Sequence, residues 1–115
     1  MACEQAAAVY GESAMRLEEL KKHTKRLCEE QHVRRLDLFG SRARHDARKG
    51  SDYDFVAEFE QLAPEEFGRY YFDLLHGLED MLHAPVDLLT YEGIRKPALR
   101  ENIERQRVKI YERQD

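Results

Sequence analysis

The chain has 115 residues, of which 42% are hydrophobic and 37% charged, and its formal net charge is −4. That length suits one domain with one core and leaves no room for a separate substrate-binding domain. The acidic balance argues against a broad nucleic-acid footprint, no apolar run nears the roughly 20 residues that span a bilayer, and Cys3 and Cys28 without a signal peptide suit reduced thiols in the cytoplasm.

Residues 1–14 are small, weakly patterned and interrupted by Gly11, so they are read as an N-terminal extension, with residues 15–115 as the single domain. Met15, Leu17, Leu20, Thr24 and Leu27 recur at helical spacing and predict a first helix over 15–31. Val33–Phe39 follows as a strand with Leu36 and Leu38 on one face, and Asp37 is expected at the surface. A short helix or turn runs from Ser41 to about Arg48, and Lys49-Gly50-Ser51 breaks the chain. The second strand, Asp52–Phe59, puts Tyr53, Phe55, Ala57 and Phe59 on the core side and Asp52 and Asp54 on an open face.

Pro64 is suited to the first turn of the next helix. An apolar stripe then runs from Phe67 to Leu82, and Tyr70 and Tyr71 are its expected exposed anchors. Ala84-Pro85 ends that helix, and Val86–Thr90 reads as a third strand with Asp87 near its start. A short helix from Pro97 to about Gln106, with Leu99 and Ile103 inward, precedes a final strand or docked tail at Val108–Tyr111. The order gives an α/β or α+β fold, a small sheet backed by helices.

The chemistry concentrates in two segments. Leu38-Phe39-Gly40-Ser41 is a strand entering a Gly-Ser turn, and such a turn leading into a helix offers backbone N–H groups to a phosphate. Nine residues separate Ser41 from Ser51-Asp52-Tyr53-Asp54. Residues two apart on a strand face the same way, so the Asp52 and Asp54 carboxylates stand together and call for a cation between them. If the second and third strands are neighbours, Asp87 joins from the side, and three oxygen donors can hold one or two Mg²⁺ ions. His23, His32, His76 and His83 have no metal-ligand spacing with cysteine, so zinc is not indicated. Ser41 has no recognisable histidine base to make it a nucleophile.

Together these segments resemble the nucleotidyltransferases of the DNA polymerase beta superfamily, in particular the minimal nucleotidyltransferase (MNT) members. In prokaryotes these are usually encoded beside a HEPN-domain protein, as the antitoxin half of a toxin–antitoxin pair. The resemblance covers about residues 15–111 through "VRRLDLFGSRAR", "SDYDF", "APVDLLT" and "IRKPALRENIERQRVKIY". It implies a small mixed sheet backed by helices. It places nucleotide phosphates at Gly40 and Ser41, with Arg42, Arg44 and Ser51 as further nucleotide-binding residues. It makes Asp52, Asp54 and Asp87 the catalytic metal ligands, with Asp87 also helping to deprotonate the attacking hydroxyl. His45 stands where many relatives carry glycine.

The implied reaction is Mg²⁺-dependent transfer of AMP from ATP to a tyrosine hydroxyl of the cognate HEPN toxin, within a hetero-oligomer and with no direct contact to nucleic acid or membrane. The alternative is a non-catalytic antitoxin that neutralises its partner by occlusion. A small-molecule nucleotidyltransferase ranks last, because such enzymes usually carry an added acceptor-binding domain.

Overall fold

The computed structural model describes residues 17–44 and 52–113; His45, Arg48 and Ser51 therefore lie outside the described residues, as does the extension. In chain order the elements are α1 (Leu17–Glu30), β1 (Val33–Phe39), α2 (Ser41–Arg44), β2 (Tyr53–Phe59), α3 (Pro64–Leu82), β3 (Val86–Thr90), a 3-10 turn (Tyr91–Gly93), α4 (Pro97–Gln106) and β4 (Val108–Glu112). The four strands form one mixed sheet in the order β3-β2-β1-β4. β1 is antiparallel to both β2 and β4, while β2 and β3 run parallel.

Alternation along the strands divides the sheet into two faces. One face sends Leu36, Leu38, Tyr53, Phe55, Ala57 and Leu88 into the main core, against Leu20 and Cys28 of α1 and Leu74 and Leu78 of α3. The two helices approach closely: a Cβ on Gly77 would come within 2.7 Å of Leu27 Cδ1. Thr24 is fully buried in α1, and its hydroxyl is satisfied by donating to the Leu20 carbonyl at 2.8 Å. Burial, with a smaller contribution from Glu29, pushes the Cys28 thiol up to about 12 and keeps it protonated at neutral pH. Among the described residues no helix is long and apolar enough to cross a membrane.

The opposite face is less open than the alternation suggests. Val56 is fully buried there with Tyr91 and Ile103, because the 3-10 turn and α4 fold over it. Asp37, expected at the surface, sits in this second core at 0% exposure. The Tyr91 hydroxyl donates to its Oδ2 at 2.6 Å, with Arg35 Nε at 3.0 Å and Arg107 Nη1 at 3.8 Å from the same oxygen. Arg107 also donates to the Tyr91 hydroxyl at 3.1 Å, and Arg100 donates to the Tyr91 carbonyl at 3.2 Å. A buried carboxylate is tolerable only with such partners.

Two apolar expectations also change. Leu99, expected inward with Ile103, is exposed, and Tyr70 and Tyr71 are half-buried, so the outward aromatic of α3 is Phe72.

Replacing Asp37 by Ala leaves its arginine partners uncompensated and is expected to cost about 3 kcal/mol or more, against about 1 kcal/mol for Tyr91→Phe. Urea unfolding measures both. Near-wild-type stability of Asp37→Ala would contradict the buried-pair assignment.

Candidate active site

The site begins where β1 ends. Gly40 has φ +77°, a left-handed conformation that L side chains resist, and a Cβ there would meet Asp54 Oδ2 at 2.3 Å. Backbone and carboxylate are thus in direct contact. The Gly40 carbonyl accepts the Ala43 and Arg44 N–H groups, each at 3.1 Å, and so starts α2. In the first turn of a helix the N–H groups lack intrahelical acceptors and face whatever lies before it.

Strand register gathers the carboxylates. Phe39 pairs with Asp54 across β1 and β2, and Asp54 pairs with Asp87 across β2 and β3. Phe39, Asp54 and Asp87 therefore form one row across three strands, about 4.8 Å apart in the pairing direction. One step along the face the row reads Asp37, Val56, Leu89, which is why Asp37 is walled off from the other aspartates. Asp52 is exposed beside the start of β2.

The electrostatics follow from that crowding. The Asp54 carboxyl is raised above its ordinary value, first by burial, then by Asp87 and Asp52, with Arg44 opposing. The Asp54 carboxyl thus senses both of the other aspartates. Tyr71 is also raised, by burial and then by Asp87, and its hydroxyl donates to the Leu88 carbonyl at 2.6 Å. The amphipathic spacing of α3 marked Tyr71 as apolar but carried no signal that it lies beside Asp87.

The two arginines diverge. Arg42 is 8% exposed, with its guanidinium 4.2 Å from the Tyr53 ring centroid, so it braces the turn against β2. Arg44 is exposed, donates to Gln106 Oε1 at 3.1 Å and acts on Asp54. Ser41 is half-buried at the head of α2.

An all-oxygen donor set under mutual repulsion suits a hard divalent cation. Among the described residues the aspartates are not drawn into a closed cluster of three metal ligands. The donor chemistry fits, while a preformed cage is not part of the described site.

A family model for the nucleotidyltransferase domain matches residues 20–110. MJ1379 of Methanocaldococcus jannaschii, named as a candidate protein adenylyltransferase, is 36% identical over 85 residues, covering 74% of this chain and 84% of that protein. A solved structure described as a candidate minimal nucleotidyltransferase superposes with a TM-score of 0.62 at 32% identity, covering 84% of this chain and 97% of its own. A chain from the complex of tri-AMPylated Shewanella oneidensis HEPN toxin with MNT antitoxin shares the fold, with a TM-score of 0.60 at 16% identity, covering 85% of this chain and 74% of its own.

Two substitutions probe this geometry. Gly40→Ala must displace Asp54 or the turn, and nucleotidyl transfer is expected to fall about 100-fold, as for a misplacement near 1 Å; unchanged kinetics would show that the contact is not critical. Asp54 binds its proton more tightly folded than unfolded, so its contribution to stability is full below its ordinary value of 3.8 and is lost as pH rises through the folded value. In EDTA at pH 7, Asp54→Asn should therefore raise Tm, with the gap closing toward pH 4. A lowered Tm at pH 7 would contradict the repulsion.

Proposed function

The chain belongs to the nucleotidyltransferase domain family, and we propose that it transfers AMP from ATP to a tyrosine hydroxyl of a HEPN-domain toxin and thereby silences it. The observation that carries this reading is the Gly40 turn pressed against Asp54 in the row that continues to Asp87. The name of the Methanocaldococcus jannaschii relative and the AMPylated toxin in the Shewanella complex support a protein acceptor. The same reading makes the protein the antitoxin of a cytoplasmic toxin–antitoxin complex.

In this reading the Gly40–Ser41 turn and the first N–H groups of α2 receive the phosphates, and Arg44 offsets negative charge at their edge. Asp52, Asp54 and Asp87 would hold Mg²⁺, which when bound neutralises triphosphate charge and stabilises the attacking and leaving oxygens. The acceptor oxygen attacks the α-phosphorus, forming a new P–O bond as the bond to the bridging oxygen of pyrophosphate breaks. Pyrophosphate departs, and the hydroxyl proton passes to the Asp87 carboxylate. Asp87 suits that role because it is exposed on β3, at the far end of the row from Gly40.

Incubating a HEPN toxin from the same genome with this protein, ATP and Mg²⁺ should raise the toxin's intact mass in whole AMP units. EDTA, or the paired Asp52→Asn and Asp54→Asn changes, should abolish the increase. Undiminished transfer by the paired variant overturns the site. Neutralisation with confirmed binding and no mass change supports occlusion instead.

A further inference from the structure

We infer that the acceptor protein docks as an extended segment in an apolar groove along the free edge of β3, and that this groove delivers its hydroxyl to Asp87. The inference rests on the acceptor-protein reading above and adds where that protein binds. The groove, a cavity of about 650 Å³, lies between α3, β3 and the segment leading into α4.

Four independent features of the molecule converge on it. Phe72 and Leu99, 54% and 39% exposed, are the large exposed hydrophobic residues among those described, and both line this one groove. Concentrated apolar exposure of this kind marks interaction surfaces.

The second feature is Gly68. Glycine costs stability inside a helix, and Gly77 has a packing reason to be one. Gly68 has none: a Cβ there meets nothing within 4 Å. It lies on the groove wall, where the missing side chain leaves the space open.

The third is direction. Leu88, Leu89 and Thr90 all line the cavity, and successive strand residues face opposite ways, so the cavity lies against the edge of β3. β3 is one of the two edge strands of the described sheet, and an extended peptide can pair with such an edge. In-line displacement requires the attacking oxygen to enter opposite the leaving group. With the phosphates held at Gly40 on the β1 side of Asp54, the attack comes from the β3 side, past Asp87, where the groove lies.

The fourth is charge. Arg95 and Lys96 line the groove mouth, both exposed and neither in an ion pair among the described residues. They select a segment that sets acidic residues beside an apolar anchor.

The test uses Gly68→Trp, which fills the groove from a position with no packing neighbour, and the paired Arg95→Glu and Lys96→Glu changes. Toxin affinity is measured by biolayer interferometry without ATP, and AMP transfer by intact mass. Both variants should weaken toxin binding and raise the toxin KM about tenfold or more, leaving the KM for ATP within error and Tm no lower than that of the unsubstituted protein. Unchanged affinity in both variants overturns the groove whether or not AMP is transferred. Weakened affinity with no AMP transfer by the unsubstituted protein supports the groove and removes the transfer reading instead. A dimer of this chain that Gly68→Trp dissociates would assign the groove to a second copy and overturn the proposal.

Discussion

Gly40 and Asp54 occupy space that one extra carbon would contest, since a Cβ at Gly40 would stand 2.3 Å from Asp54 Oδ2. The turn that can accept phosphates and the carboxylate that can hold their counter-ion are therefore set by a single contact. Everything else at the site extends from it. Register carries the row from Asp54 to Asp87, and α2 starts from the Gly40 carbonyl. The cost is carboxylate repulsion, felt at Asp54 as a raised proton affinity. Such a site is held by its frame rather than by its own attractions.

The frame is the buried carboxylate one row away. Asp37, Tyr91, Arg35 and Arg107 tie β1 to the 3-10 turn and to the segment joining α4 to β4. With Val56 and Ile103 they close the half of the face beside the aspartates. One half of that face is dry and pinned, the other polar and accessible. Two similar aspartates, Asp37 and Asp54, play opposite parts because one is surrounded by cations and the other by carboxylates.

The alternation of β2, the Asp87 strand, the helix opening at Pro64 and the helix from Pro97 to Gln106 were all legible, because each is set by neighbours a few residues away. Burial of Asp37 was not. Its hydroxyl partner lies 54 residues downstream, and nothing in Arg-Arg-Leu-Asp-Leu says that a turn will cover the polar face. Leu99 looked inward because helical spacing pairs it with Ile103, yet only Ile103 enters the second core, and Leu99 lines the groove beside α3 and β3 instead. Arg42 and Arg44 were indistinguishable as basic residues after a Gly-Ser turn. The Tyr53 ring draws Arg42 toward the core side of β2, while Arg44 stays exposed beside Gln106.

The outer edge of β3 bears on how the protein behaves alone. Tyr71 takes the outward Leu88 carbonyl, which blunts one point on the edge. The rest of the strand lies next to Phe72 and Leu99, an arrangement that invites pairing with any extended chain. An uncovered strand edge flanked by apolar side chains is a liability for the chain on its own, and a segment seated on β3 would relieve it.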